Sequence, residues 1–276
     1  MPSSDRRLKS VVAVPVHKSE ALAIVPALDG VDQHLVSFVA PQSPEAEQYR
    51  TLRYAVEHVH KPGECTVIGV CSALPGDGKS ITAINLAGAL AQDPRARVLL
   101  MEADLRRPSL SIADHLALGD IATRHGLVDA ILDLDSTLEE VVRYLPNFNL
   151  ALLLAGRRAN APYEMLTTTR FGELITQARQ QYDYVILDTP PVVPVPDCRL
   201  LQQWVDGFIM VVAAHRTPRE ALEEALTLIN PANILGLVFN GHDRSATRHY
   251  GYGYGYGNGH APRRGWTRWW NRFWGM

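Results

Sequence analysis

Residues Ala73-Leu-Pro-Gly-Asp-Gly-Lys-Ser80 follow the apolar run Thr66-Val-Ile-Gly-Val-Cys-Ser72 and precede a segment with Ile81, Ile84, Leu86, Ala87 and Leu90 at helical spacing. The order is strand, glycine-rich loop, Lys-Ser, helix. It matches G-x-x-x-x-G-K-[ST] with Ala73 in place of the first glycine. Gly76 and Gly78 permit a tight turn whose backbone N–H groups surround phosphate oxygens. The helix that follows adds the partial positive charge of its N-terminus. Lys79 is placed to reach the outer phosphates and the Ser80 hydroxyl to ligate Mg²⁺. Pro75, Gly76, Asp77, Gly78, Lys79, Ser80 and Ile81 are therefore the expected nucleotide-binding residues.

Outward from this loop the chain alternates. Strands are predicted at 66–72, 97–102, 150–154, 184–188, 207–213 and 234–240, and helices at 43–59, 80–92, 169–180, 198–204 and 218–229. A helical, loop-rich stretch fills 110–145. The strands are continuous apolar runs, the pattern of strands covered on both faces. The fold class read from this is α/β: a doubly wound, mainly parallel sheet with helices on both faces. In the helix over 43–59, Ser43 is the N-cap, Pro44 the first helical position, and Tyr49, Leu52, Val56 and Val59 form one stripe.

Two further strand ends carry acids. Asp188 closes Tyr184-Val-Ile-Leu-Asp188 and precedes Thr189-Pro-Pro191. A carboxylate at the C-terminal end of a buried parallel strand faces the ligand crevice, so Asp188 is a candidate metal ligand. Glu102 and Asp104 end the run Val98-Leu-Leu-Met-Glu102 and are followed by Arg106 and Arg107. An acid here can serve as general base, and a cation can offset charge on a transferring phosphoryl group.

The whole chain of 276 residues has a formal net charge of −2, which excludes a general nucleic-acid binder. The charge is uneven: from Gly241 onward six arginines face the single Asp243, about +5, leaving about −7 for the rest. Cys65, Cys71 and Cys198 show no C-x-x-C pairing and read as thiols of a reducing compartment. No apolar stretch has the ~18–20 residues needed to span a bilayer, and the N-terminus lacks a secretory pattern. The expected location is the cytoplasm, with any membrane contact peripheral and from the inner face.

The domain reading is an irregular leader over 1–42 with one short strand near 11–16, a nucleotide-binding domain over 43–243, a Tyr/Gly tail over 244–262 and an Arg/Trp segment over 263–276. In the last of these, Trp266, Trp269, Trp270, Phe273 and Trp274 fall at i, i+3, i+4, i+7, i+8. Arg268 and Arg272 lie on the other face. That is the pattern of an interfacial helix, and contact with a membrane surface through Trp266–Trp274 is expected.

These residues resemble the bacterial tyrosine kinases of capsular and exopolysaccharide export, P-loop proteins of the MinD/ParA-like superfamily. The resemblance covers about Ser43 to Asn240. Pro75-Gly-Asp-Gly-Lys-Ser80 is similar to the family's Walker A, Glu102-Ala-Asp104-Leu-Arg-Arg-Pro108 to its Walker A′, and Leu187-Asp-Thr-Pro-Pro191 to its Walker B. Glu47, Arg50 and Arg53 resemble the helix motif by which members assemble into rings. The resemblance implies ATP and Mg²⁺ as cofactors, with the metal at Ser80, Asp104 and Asp188, and catalysis by Lys79, Glu102, Asp104 and Asp188. Asn240 matches the position that contacts adenine. Tyr250, Tyr252, Tyr254 and Tyr256 resemble the C-terminal cluster that the family autophosphorylates. The implied partners are other copies in a homo-oligomeric ring and a transmembrane polysaccharide co-polymerase adaptor, as for free cytosolic members.

Two positions depart from the family pattern. Its Walker A′ usually begins with Asp, where this chain has Glu102, and Ala155-Gly-Arg-Arg-Ala-Asn-Ala-Pro162 only loosely resembles its proline-rich segment. Glu102 leaves open an ATP-binding pseudokinase scaffold. A MinD/ParA-like membrane-associated ATPase is the other alternative, disfavoured by Leu74 where those proteins carry a lysine.

Overall fold

The computed structural model of the protein describes residues 30–106, 112–119 and 125–241. Among these residues one sheet is built from β1 (Thr66–Ser72), β2 (Val98–Glu102), β3 (Arg143–Leu145), β4 (Leu150–Leu153), β5 (Tyr184–Asp188), β6 (Gly207–Ala213) and β7 (Ile234–Asn240). Their order across the sheet is β3-β4-β2-β5-β1-β6-β7. Every neighbouring pair is parallel except β3 with β4. β5 lies between β1 and β2, and its residues Tyr184–Asp188 pair in register with Thr66–Val70 on one side and Val98–Glu102 on the other. The loop after β1, the end of β2 and Asp188 are thereby gathered at one edge, where an open α/β sheet binds its ligand.

Helices cover both faces. On one side lie α1 (Val36–Val39), α2 (Pro44–Val59), α3 (Lys79–Ala91) and α4 (Ile112–His115). On the other lie α5 (Leu127–Leu132), α6 (Leu138–Val141), α7 (Pro162–Leu166), α8 (Thr169–Gln181), α9 (Asp197–Leu201) and α10 (Arg219–Leu228). Every residue of β1, β2, β5 and β6 is buried. Their continuous apolar character follows from having a helical layer above and below. The helix starts are capped as their sequence directs: the Ser43 hydroxyl accepts the Ala46 N–H at 3.1 Å and the Thr168 hydroxyl the Phe171 N–H at 3.2 Å.

Four sequence expectations need correction. β7 is an edge strand and not covered on both faces: Leu235, Leu237 and Phe239 are exposed. β3, three residues long, lies inside the stretch read as helical and looped. Val59 is exposed and leaves the α2 stripe, in which Val56 is buried and Leu52 partly buried against the core; Ala46, outside the stripe, is buried as well. The leader is not irregular throughout, because α1 belongs to the core. Leu35 and Phe38 are buried there, and the Phe38 ring packs edge-on against Phe148 at 4.8 Å between centroids. Residues 11–16, read as a short strand, lie outside the described residues. No helix among the described residues is long and apolar enough to cross a membrane.

Asn85 fastens this first segment. It is fully buried on α3. Its side-chain oxygen accepts the Ser37 N–H at 2.9 Å, its amide donates to His34 O at 2.9 Å and Ile81 O at 3.0 Å, and the Ser37 hydroxyl donates to its carbonyl at 2.9 Å. Replacing one buried partner strands the others without water to replace it. Asn85→Ala should lower unfolding stability by about 2 kcal/mol in urea titration.

Candidate active site

The phosphate loop is shaped by its own side chains. Gly76 and Gly78 have φ of 83° and 94°, left-handed values that favour glycine. A methyl group on Gly78 would also stand 1.9 Å from the Asn240 amide nitrogen. The buried Asp77 side chain accepts the Leu74 N–H at 3.1 Å and the Thr217 hydroxyl at 2.9 Å. Thr217 in turn accepts the Ala213 N–H at 2.9 Å. From β7, the Asn240 amide donates to the Asp77 carbonyl at 3.0 Å. Asp77 therefore faces the protein with its side chain and can offer a nucleotide only its backbone. Asn240 holds the loop with its nitrogen, leaving its oxygen for other contacts.

At the start of α3 the structure brings Lys79, Ser80, Asp104 and Asp188 together. The Lys79 ammonium lies 3.0 Å from Asp104 Oδ2, 3.3 Å from Asp188 Oδ1 and 3.3 Å from Ser80 Oγ. The three charged side chains are only 12%, 10% and 3% exposed, so their attraction is weakly screened. Burial pushes the Asp188 carboxyl above its ordinary value, opposed by the Lys79 charge and a hydrogen bond from Ser80. Burial works against the Lys79 ammonium, yet Asp188 and Asp104 outweigh it and hold Lys79 above its ordinary value. Two carboxylates share one ammonium, so the cluster favours additional positive charge.

Glu102 is placed differently from its expected role. Its carboxylate is buried and both oxygens are taken by backbone donors, Ile112 N–H at 3.1 Å and Ala155 N–H at 2.8 Å. Burial pushes its pKa up to about 7, with the Ala155 N–H pulling the other way. In this arrangement both oxygens face backbone donors at the start of α4 and the end of β4. Arg106, read as a cation for the phosphoryl group, makes a two-pronged ion pair with the fully buried Asp197, at 2.8 and 2.7 Å. Arg107 lies outside the described residues.

On α2, Arg50 pairs with Glu47 on the open side of the helix. Arg53 turns toward α3 instead, binding Glu57 at 2.7 Å and the Ala89 carbonyl at 3.0 Å, with its side chain 21% exposed. Glu47 and Arg50 therefore stand together on the open side of α2, and Arg53 faces α3. Tyr250, Tyr252, Tyr254, Tyr256 and Trp266–Trp274 lie outside the described residues.

Sequence reading missed Thr217 and Arg216. The exposed Arg216 guanidinium would lie 3.6 Å from a methyl group on Gly76, which puts a cation beside the phosphate loop. Neither residue belongs to a recognisable pattern; the only signal is their place in the turn after an apolar strand.

An AAA-domain family model matches residues 65–230. The tyrosine-protein kinase YwqD of Bacillus subtilis is 34% identical over 225 residues, covering 80% of this chain and 92% of the relative. The chain belongs to the bacterial tyrosine-protein kinase family. Among longer relatives, the succinoglycan biosynthesis transport protein ExoP of Rhizobium meliloti is 32% identical over 217 residues, 76% of this chain but 27% of that protein. The solved kinase domain of the Escherichia coli tyrosine kinase ETK superposes with a TM-score of 0.69 at 26% identity, covering 80% of this chain and 85% of that one. Family membership sets aside a MinD/ParA-like positioning ATPase as the primary reading. The kinase's P-loop fold implies nucleotide binding.

The anchoring role of Asp77 is testable without catalysis. Asp77→Ala frees the Leu74 amide and the Thr217 hydroxyl, so the loop must be ordered at the moment of binding. Nucleotide affinity measured by calorimetry should fall about tenfold, equivalent to about 1.4 kcal/mol. Thr217→Val, which removes one of the two ties, should show a smaller loss.

Proposed function

We propose that the kinase transfers the γ-phosphoryl group of ATP to its own Tyr250, Tyr252, Tyr254 and Tyr256, and thereby regulates polymerisation and export of an exopolysaccharide or capsule. The observation that supports this most directly is the single cluster of Lys79, Ser80, Asp104 and Asp188 at the mouth of the glycine loop. Loop amides and the α3 N-terminus bind the phosphate chain. Lys79 can exchange its carboxylate partners for β- and γ-phosphate oxygens, which leaves both acids for a divalent cation. The donor set fits Mg²⁺: hard oxygens and an excess of negative charge. No group of three or more His, Cys, Asp or Glu side chains able to hold a metal occurs among the described residues. Mg²⁺ usually takes one or two protein carboxylates and is completed by phosphates and water. Ser80 and Asp188 would hold it directly and Asp104 through its water shell. Bound there, Mg²⁺ supplies positive charge to the transferring phosphoryl group. Positioning and charge neutralisation dominate such transfers.

The Gly-spaced tyrosines suit entry into a neighbour's site. The composition has little core to unfold. Glu47, Arg50 and Arg53 are the proposed ring contact, Arg53 acting also as a tie between α2 and α3. Each phosphotyrosine adds about −1.5 to −2 charges, so a phosphorylated ring would repel itself. A transmembrane co-polymerase adaptor is the proposed activating partner, and the Trp266–Trp274 face the contact with the inner surface of the cell membrane.

Incubation with Mg-ATP and the adaptor's cytosolic segment should yield phosphate on Tyr250–Tyr256 by mass spectrometry, and none in Lys79→Met. Unmodified tyrosines in a wild-type protein that binds ATP under these conditions would favour the pseudokinase scaffold instead. For assembly, Glu47→Ala with Arg50→Ala should reduce the mass seen by light scattering to that of one chain while leaving the melting temperature within about 2 °C. Surface changes of this kind shift stability by about 0.5 kcal/mol or less. An unchanged mass would remove α2 from the assembly contact.

A further inference from the structure

The loop after β2 carries Asp104, and it is fastened on both sides of that residue. On the near side, Ala103 N–H donates to the Asp188 carbonyl at 2.8 Å, and the Glu102 carboxylate takes the N–H groups of Ile112 and Ala155. On the far side, Arg106 grips Asp197, which begins α9 just after β5. The Ala155 peptide is itself tied onward: its carbonyl accepts the Val128 N–H at 3.0 Å, and the Leu154 carbonyl accepts the Leu127 N–H at 2.8 Å. Glu102 therefore joins three segments, the ends of β2 and β4 and the start of α4, and reaches α5 through Ala155. Close packing leaves no slack here, since a methyl group on Gly126 would meet Leu154 O at 2.5 Å and Gly156 N at 2.6 Å.

We propose that Glu102 is a positioning residue: its carboxylate latches the β2 and β4 loops through the Ile112 and Ala155 amides and so holds Asp104 against Lys79. The length of the side chain matters to this role. Aspartate would withdraw the carboxylate by about one bond, roughly 1.5 Å. Contacts of 3.1 and 2.8 Å would then exceed hydrogen-bond range. Glutamine keeps the length but sets an NH₂ group against one of two N–H donors, so it can satisfy only one. Reach and two acceptor oxygens are both required for the latch, whereas a general base needs reach to the acceptor hydroxyl and the right protonation state.

The effect on catalysis rests on the phosphotransfer reading, but the latch does not, and the test separates them. Backbone hydrogen exchange of the full-length wild type, Glu102→Gln and Glu102→Asp reads Ile112 and Ala155 directly and needs neither ATP nor turnover. Both amides should exchange slowly in the wild type. At least one should speed up tenfold or more in each variant, and nucleotide affinity measured without Mg²⁺ should stay within about twofold because the loop from Ala73 to Ser80 is untouched. With an active wild type, kcat should fall about tenfold in both variants while the KM for ATP changes little. A general base predicts a different set of results: unchanged exchange, a loss of about 10²–10⁴ in kcat for Glu102→Gln, and equal or higher turnover for Glu102→Asp. Unchanged protection at both amides in either folded variant would overturn the proposal. So would protected amides together with a rise in kcat for Glu102→Asp, the variant that remains informative should Glu102→Gln fail to fold. A wild type with slow amides and no phosphotransfer would sink the kinase reading and leave the latch standing.

Discussion

One ammonium shared by two buried carboxylates sets the terms for the rest of this molecule. Lys79, Asp104 and Asp188 come from the start of a helix, the loop after β2 and the end of β5. Only a sheet in which β5 lies between β1 and β2 can bring those points together, and that is the order observed. As a stabilising device the cluster is poor. Buried ion pairs lose most of their attraction to desolvation, and here one negative charge is unmatched. The imbalance is better understood as readiness for cations and phosphate. Lys79 can be drawn off by phosphate oxygens because each carboxylate it leaves can take another positive partner.

A site with surplus negative charge needs a rigid frame, since like charges left free would swing apart. The frame consists of polar side chains that look reactive in the sequence and are structural in the fold. Asp77 is turned from the phosphates to Thr217 and Leu74. Asn240 holds the same loop from the far strand. Arg106 is spent on Asp197, a fully buried carboxylate that would be costly to leave alone. What remains outside these anchoring contacts is the smaller set of Lys79, Ser80 and the two aspartates, with backbone amides between them. Charge alone does not separate the two groups; the location of each side chain's hydrogen-bond partner does.

That distinction explains how much could be read in advance. β1, β5 and β7 span the residues that the apolar runs delimit, and α2 starts where Ser43 and Pro44 say it should, because these signals are local. The gathering of Lys79, Ser80 and Asp188 follows from strand ends meeting at one edge, which a parallel α/β pattern implies. The failures depend on distant partners or short segments. Glu102 is bound to residues 10 and 53 positions away, and Arg106 to one 91 away. α1 is four residues long and is secured by Asn85, 48 positions on. β3 is too short for any period to show. β7 reads like its buried neighbours, since an apolar run does not say whether a second helical layer exists to cover it.

The glutamate at position 102 is then less of an anomaly than it looks beside the family pattern. Were this carboxylate required to meet a tyrosine hydroxyl, an added methylene would displace it by more than an ångström, enough to lose about two orders of magnitude. Phosphoryl transfer asks the protein mainly to place charges around a phosphoryl group, with little proton chemistry to share. A residue that holds Asp104 in place contributes to that demand through geometry, and the right length for it is whatever spans to the Ile112 and Ala155 amides. Glutamate spans that gap and aspartate does not. The departure at this position therefore bears on how the two loops are joined, and it leaves intact the cluster of Lys79, Ser80, Asp104 and Asp188.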